Sequence, residues 1–340
     1  MKINHLGGVV LVALLSLASC GAPKMVPQTP SFLEAFAPEE SGLNLLKITD
    51  EGMTSVIGSQ TSSYKSGDNK YGKSYVHDFS WTTGRSLDIS PDGTELAYIS
   101  LVDNQTTIMV RKAATQGTVT QRTFRKVAGV SWGVDNKLYF GDVVSNIQLA
   151  CTDAHSGSLM RQLTNNNNDY DPVLSSDGRR LFFMRYGNNT PYIWIYDMQD
   201  GALSCCCRGF NPYPVGDGSE EFVCVRTSDS GTTELWLINY EKGQETLLLS
   251  DRNRGFTNPC VSADGKWILC QGNSRSTITN AQNLDIFAVK IDGTSLTQLT
   301  YHPQTDCCPI WSPDNKYVYF ISSRANQGAL FNIWRMRFDL

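Results

Sequence analysis

The hydrophobic pattern of this chain repeats. An apolar strand leads into a turn centred on Asp-Gly or Asp-Asn, and a second, almost continuously apolar strand follows. The turn aspartates are Asp92, Asp135, Asp177, Asp217, Asp264 and Asp314, spaced 43, 42, 40, 47 and 50 residues apart. That is the spacing of four-stranded propeller blades. Five residues before the Asp stands Pro172, Pro212, Pro259 or Pro309, and two before it stands Ser90, Ser175, Ser262 or Ser312. The prolines are expected at the first residue of an innermost strand, where no ladder N–H is needed. The Asp-Gly pairs are expected to supply the positive φ angles of a two-residue hairpin. The second strands read Leu96–Ile99, Leu138–Phe140, Leu181–Met184, Phe222–Val225, Ile268–Cys270 and Val318–Ile321. A strand without polar alternation is one covered on both faces, as neighbouring blades packed face to face would do.

Third strands carry Ile108-Met109, the weaker Ile147-Gln148, Ile193-Trp194, Leu235-Trp236, Ile286-Phe287 and Ile333-Trp334. Fourth strands are more polar and clearest at Arg161–Thr164 and Thr297–Thr300. The sixth repeat ends at Leu340 without a fourth strand, whereas Leu45–Thr49 reads like one and has no blade of its own. The pattern predicts an all-β fold: a six-bladed β-propeller over 43–340, closed by an N-terminal strand completing the last blade. Closure would leave no exposed sheet edge. An unclosed solenoid or a sandwich is the alternative.

The stretch Pro309–Arg324, the segment Asp285–Gly293 and the Gln-Leu-Thr ending at Thr300 resemble the TolB-type (WD40-like) propeller repeat. The resemblance covers about 43–340 and implies the fold more than the role. Related repeats occur in an envelope protein of the Tol-Pal system, in the propellers of prolyl-oligopeptidase-like enzymes and in many lipoproteins. TolB itself has an α/β domain before its propeller and is soluble in the periplasm, so the resemblance implies docking to an envelope protein rather than a TolB role.

The N-terminus changes the picture of location. Lys2 precedes an uncharged, mostly apolar Leu6–Ala18, too short to cross a bilayer comfortably, and Leu17-Ala18-Ser19-Cys20 is similar to a bacterial lipobox. The expectation is a lipoprotein signal peptide over 1–19, then a lipidated Cys20 and flexible tether over 20–42. An ordinary signal peptide with a coincidental Cys is the alternative. No Asp stands second after the Cys and no acidic cluster follows it. By the resemblance, that implies an outer-membrane lipid anchor facing the periplasm.

Composition excludes one class. The net charge is −4 with no long basic run, so a nucleic-acid partner is not expected. No catalytic constellation or cofactor motif stands out. Gly129-Val130-Ser131-Trp132-Gly133 matches GxSxG but falls on a strand without the helix a nucleophile elbow requires. His77, His155 and His302 lie in separate segments, with no metal-ligand spacing. Asn165–Asp171 is oxygen-rich but lacks the glycine and terminal Glu of a Ca²⁺ loop, and reads as a solvated turn. Asp306 is expected to cap the turn into the last blade.

Nine cysteines remain beside Cys20. Cys205-Cys206-Cys207 is placed on an outer strand, Cys307-Cys308 opens the last blade, and Cys260 and Cys270 flank one hairpin, across which they could approach. Buried small apolar side chains and disulfides both fit. The largest departure from the repeat is Gly52–Arg85, a polar segment read as a partner-binding loop, with Tyr64, Lys65, Tyr71, Tyr75, His77 and Trp81 as candidate contacts. Three roles follow: a non-enzymatic lipoprotein binding a protein or peptide, a glycan-binding or lyase-like propeller, and a structural spacer.

Overall fold

In the computed structural model the described residues are 37–49, 85–102, 105–114, 119–123, 126–143, 147–157, 160–165, 169–188, 190–275, 282–325 and 331–339. Residues 1–36, where a signal peptide, a lipidated Cys20 and most of a tether are expected, lie outside them, as do Tyr64, Lys65, Tyr71, Tyr75, His77, Trp81 and Asn166–Asn168.

Six four-stranded antiparallel sheets form the ring. Blade one is β2 (Leu87–Ile89), β3 (Glu95–Val102), β4 (Gln105–Lys112) and β5 (Val119–Gln121). Blade two is β6 (Val127–Trp132), β7 (Lys137–Val143), β8 (Ile147–Asp153) and β9 (Arg161–Gln162). Blade three is β10 (Asp169–Leu174), β11 (Arg180–Gly187), β12 (Thr190–Asp197) and β13 (Leu203–Arg208). Blade four is β14 (Phe210–Pro214), β15 (Glu221–Thr227), β16 (Thr233–Asn239) and β17 (Gln244–Leu249). Blade five is β18 (Phe256–Val261), β19 (Trp267–Arg275), β20 (Gln282–Lys290) and β21 (Thr297–Gln298). Blade six is β22 (Asp306–Trp311), β23 (Tyr317–Ser322) and β24 (Asn332–Arg337), and its fourth strand is β1 (Leu46–Lys47). Innermost strands pack on one another around the ring, and β2 meets β22 where it closes.

The continuous apolar runs are explained by that packing. On β11, Leu181 and Phe183 join Tyr139 and Leu149 of blade two, while Phe182 joins Phe222 and Cys224 of blade four. All of these side chains are fully buried.

The Gln-x-Thr ending, Gln-Leu-Thr in blades two and five and Gln-Arg-Thr in blade one, has a physical role. In blades one, two and five the Thr hydroxyl accepts the backbone N–H of a third-strand residue: Ile108 to Thr123 (2.9 Å), Leu149 to Thr164 (3.0 Å) and Ile286 to Thr300 (2.9 Å). The Gln amide two residues earlier donates to the same Thr carbonyl at 2.8–2.9 Å. The hydroxyl thus replaces a ladder carbonyl just where the outer strand leaves the sheet. At the seam Thr49 does the same, accepting Ile333 N–H at 2.9 Å, and Ile48 N–H donates to the Ile333 carbonyl at 2.8 Å. The N-terminal strand therefore enters blade six by the same device as a native fourth strand.

A short 3₁₀ turn, Pro38–Glu40, precedes it and delivers a buried carboxylate. Glu40 accepts Arg324 Nη1 at 2.9 Å and Nη2 at 3.1 Å, and Tyr301 N–H at 2.8 Å. Arg324 also grips Asp306 through Nη2 and, at 3.3 Å, through Nε. Asp306 thus pairs with a buried guanidinium instead of capping a turn. Asp169, at the same place in blade three, is held by Arg185 (2.6 and 3.0 Å) and Thr164.

Asp285 sits beside this cluster, and among the described residues its hydrogen-bond donors are the neutral Ser274, Gln298 and Thr300. Burial first, then the carboxylates of Asp306 and Glu40, pushes it up to about 8. A native value above the unfolded one means that its contribution is complete below about pH 4 and is lost as pH rises through 8. The melting temperature is expected to fall by a few degrees between pH 6 and pH 9, and Asp285→Asn to flatten that slope; equal slopes in both proteins would refute the assignment.

Three local expectations are corrected. The prolines are not first in their strands: Pro172, Pro259 and Pro309 stand fourth and Pro212 third. Each follows a residue with positive φ (Asp171 52°, Asn211 46°, Asn258 50°, Cys308 52°) at a register shift, so it occupies a bulge where the ladder is already interrupted. The hairpins are not two-residue turns. In blades one, three, five and six four residues form the loop, as where Ser90 N–H bonds the Glu95 carbonyl and Gly93 N–H the Ser90 carbonyl, and within it only the Gly (or Asn315) has positive φ. Blade two closes over three residues with Asn136 positive, and blade four over five with Gly216 and Gly218 positive. Cys260 and Cys270 do not approach, because Cys260 pairs with Leu269 and Cys270 faces the other side of the blade, in a different core cluster.

Candidate functional site: a funnel closed by a polar belt

Six positions before the turn Asp stand Ser86, Gly129, Asp171, Asn211, Asn258 and Cys308, and the last five have positive φ at the register shift of their blade. Asp171 accepts Arg85 N–H at 2.9 Å on one oxygen and the Asn211 amide at 2.9 Å on the other. Asn211 accepts Asn258 N–H at 3.4 Å. Gln271 accepts both the Asn258 amide at 3.1 Å and Cys308 N–H at 3.0 Å. These residues are buried, and their hydrogen bonds link blades one, three, four, five and six. Asn, Asp and Gly tolerate the left-handed backbone that these positions require.

Against the belt, Arg85 from blade one reaches the opposite blade and lies 4.6 Å from the Tyr213 ring centroid. Its Nε is buried without a hydrogen-bond partner among the described residues. The Asp88 carboxylate accepts Ile89 N–H at 2.9 Å and Trp132 N–H at 2.8 Å. Burial pushes its carboxyl up, against the pull of Arg85.

Above this floor opens a funnel of about 290 Å³. Its throat is Asp88, Ser131, Val173, Tyr213, Cys260 and Ile310, one from each blade, with Trp132 and Trp311 higher on the wall. Its rim is Pro91, Val134, Ser176, Gly216, Ala263 and Pro313, again one per blade, all exposed and uncharged. The next residue outward is in every blade the turn aspartate: Asp92, Asp135, Asp177, Asp217, Asp264 and Asp314, all exposed.

These carboxylates shape the turns. Ser90 donates to Asp92 at 2.6 Å and accepts Glu95 N–H at 2.9 Å, and Ser175, Ser262 and Ser312 repeat the arrangement. The Ser90 hydroxyl and the Thr94 N–H hold Asp92 down to about 2, so it stays ionised. Where the Ser is absent, Asp135 instead accepts Tyr139 at 2.9 Å and Lys137 Nζ at 2.5 Å, and Asp217 accepts Ser219 N–H at 2.9 Å. Removing the serine hydroxyl of one turn (Ser262→Ala) is expected to cost about 1 kcal/mol, measured by chemical denaturation. A neutral result would show that the turn holds without it.

Sequence reasoning read the six aspartates as separate turn residues; the ring brings them together as a collar around the funnel. It missed the belt, Arg85 and Tyr213. A signal was present, since four of the six positions preceding the turn Asp by six residues are Gly, Asn or Asp. Ser131 of the GxSxG match is buried on the funnel wall, with no helix after it. His155 is exposed beside Trp132, and His302 is buried with Nδ1 accepting Gln304 N–H at 3.1 Å. Among the described residues no three His, Cys, Asp or Glu side chains form a metal-binding group. Thr49, bonded to Ile333 of blade six, and Arg85, just before β2, are the described residues nearest the two ends of the candidate partner-binding loop.

This architecture is a six-bladed propeller, and its structural likenesses are to TolB-type propellers and relatives. TolB from Acinetobacter baumannii aligns at 15% identity over 73% of this chain with a TM-score of 0.58, and the chain spans only 65% of that protein. A TolB-like protein from Agrobacterium tumefaciens aligns at 15% identity over 75% of this chain and 90% of its own, with a TM-score of 0.56. Oligogalacturonate lyase from Vibrio parahaemolyticus aligns at 11% identity over 88% of this chain and 97% of its own, with a TM-score of 0.53. At such identities the likeness shows the fold alone. No protein-family model matches the sequence, and no curated protein matches it.

Proposed function

We propose that this chain is a non-enzymatic envelope lipoprotein that holds a projecting segment of a protein or peptide partner in the funnel. The observation that carries the reading is the funnel itself, with an uncharged rim from all six blades, two Trp on its wall and a closed floor. Its volume of about 290 Å³ lies at the bottom of the range for ligand pockets, suited to one or two side chains of a docked segment rather than an extended molecule. Val134 offers a clean test, because it is 46% exposed on the rim and can carry a charge without disturbing the core. Cross-linking in cells is expected to capture an envelope protein at the funnel, and Val134→Glu to weaken that capture roughly tenfold, the effect of one charge buried against an apolar partner. Capture unaffected by Val134→Glu would remove the funnel from the reading, and no capture at all would remove the partner.

In this reading Cys20 carries the lipid and the segment from Cys20 to residue 36 tethers the ring to the outer membrane, facing the periplasm, while residues 37–42, expected to belong to the tether, pack into the seam through Glu40. Cys20→Ala is expected to move the protein from the membrane to the soluble fraction and to abolish incorporation of labelled palmitate. The polar segment containing Tyr64, Lys65, Tyr71, Tyr75, His77 and Trp81 would then be a second contact element.

A second reading, a glycan-binding or lyase-like propeller, is favoured by the fold likeness to oligogalacturonate lyase together with Trp132 and Trp311 on the funnel wall. A glycan array and an assay for unsaturated uronate product distinguish the two. Binding or turnover that Val134→Glu reduces would favour the second.

A further inference from the structure

The outer strand of blade three carries three consecutive thiols. In a regular strand Cys206 and Cys207 would point to opposite faces. Here Trp194 of β12 pairs with Cys205 and Ile193 pairs with Cys207, so Cys206 is the extra residue of a bulge. Cys206 and Cys207 consequently line the same cleft, about 430 Å³ in volume, where blade three meets blade four. The opposite wall is Arg226 and Glu245. The Arg226 guanidinium is fixed: it donates to Glu245 at 2.7 Å through both Nη atoms and to the Arg208 carbonyl at 2.9 Å through Nε, and it stacks on Trp236 at 5.0 Å. Behind the cleft, Cys224 of β15 is fully buried and belongs to the same apolar cluster as Cys206 and Cys207.

Cys207 therefore sits in an open cleft beside a fixed cation and between two further thiols. Hydrogen bonds from Cys206 and Cys224, and then the Arg226 guanidinium, hold its thiol well below the usual range against the opposing effect of burial. Cys205, exposed two residues away on the same strand, is shifted the other way by burial. A thiolate in an accessible cleft beside a guanidinium is the reactive kind of cysteine.

We propose that Cys207 is a modification site, and that the cleft between blades three and four is where it undergoes thiol–disulfide exchange with low-molecular-weight disulfides. The Cys207 sulfur attacks one sulfur of the reagent, the reagent S–S bond breaks and one reagent thiolate leaves, giving a mixed disulfide on Cys207. The Cys224 thiol can then attack the Cys207 sulfur, expelling the second reagent thiol, which takes the Cys224 proton. Two electrons have then passed from the two cysteines to the reagent, and a Cys207–Cys224 disulfide joins the blades.

The test uses the full folded chain and 4,4′-dithiodipyridine at about pH 5, where ordinary thiols are protonated. One fast phase is expected, roughly tenfold or more faster than an exposed thiol of ordinary acidity. Peptide mapping should place its product on Cys207, as a mixed disulfide or as the Cys207–Cys224 link; both begin at Cys207 and support the assignment. Cys207→Ser should abolish the phase and Arg226→Gln should slow it, while Cys205→Ser should leave it intact. Loss of the phase in Cys205→Ser, its survival in Cys207→Ser, or no phase faster than the remaining thiols would overturn the proposal. The Cys205→Ser arm keeps it testable even if Cys207→Ser does not fold.

Discussion

A chain from which residues 37–49 are deleted is expected to lose its cooperative thermal transition at ordinary temperatures and to associate. The segment supplies Ile48, 1% exposed inside the core that joins blades six, one and five. It also supplies the ladder bonds of β1 to β24 and the Glu40 carboxylate on Arg324. Burial of one Ile contributes about 1.5–3 kcal/mol and each ladder bond about 1 kcal/mol. An unpaired buried guanidinium then adds about 3–5 kcal/mol of cost. The total exceeds about 5 kcal/mol, comparable with the whole stability of many domains. The deletion also bares β24 as a sheet edge, so soluble aggregates should accompany the loss. Differential scanning calorimetry with size-exclusion chromatography checks both effects. An unchanged melting temperature in a monomeric deletion variant would show that blade six closes without its N-terminal strand.

Closure was legible in the sequence because it is a counting problem. Six turn aspartates and five complete repeats leave one blade short of a strand, and Leu45–Thr49 is the one strand without a blade. The funnel collar was half legible: the aspartates were found by spacing, but nothing in a linear reading says that six hairpins converge. The belt was the hardest feature to see. Four of the six positions are Gly, Asn or Asp, but Ser86 and Cys308 break the pattern; what unites those of blades two to six is a positive φ, a property of the backbone. Cys207 was hidden for a similar reason. The side of a strand that a residue faces follows from strict alternation, and the bulge at Cys206 breaks that alternation without a Gly or Pro to mark it.

The same limit applies to the charges. Arg324 and Glu40 are 284 positions apart, and neither looks exceptional in its own segment. Only ring closure makes them neighbours. The belt and the ion cluster also divide the interior: polar groups occupy the axis and the seam, while the faces between blades are apolar, as in the Phe182–Phe222 contact at 5.3 Å. Polar contacts at the axis and the seam fix which strands meet there, and apolar area between blades supplies most of the favourable burial energy.

Arg324→Met is expected to destabilise the protein by about 3–5 kcal/mol, the cost of leaving buried carboxylates without their cation. Both Glu40 and Asp306 are fully buried against the guanidinium, which also lies over the Phe320 and Trp334 rings at 5.3 and 5.7 Å. Methionine keeps most of the volume and the ring contacts, so the loss is electrostatic rather than a cavity. Two consequences separate that cause from poor packing. First, adding Glu40→Gln and Asp306→Asn to Arg324→Met should recover most of the stability, because no buried charge is then left unpaired. Second, the deficit should shrink as pH falls. Burial already holds Asp306 up at about 6 with the arginine present. Without the cation that lowers it, the carboxyl binds its proton still more readily, so below about pH 5 it is neutral in the folded variant and the penalty is largely removed. Chemical denaturation of both proteins from pH 5 to pH 8 reads the effect directly. A deficit that is constant across that range, or a triple variant no more stable than Arg324→Met alone, would show that the arginine acts through its volume and not its charge.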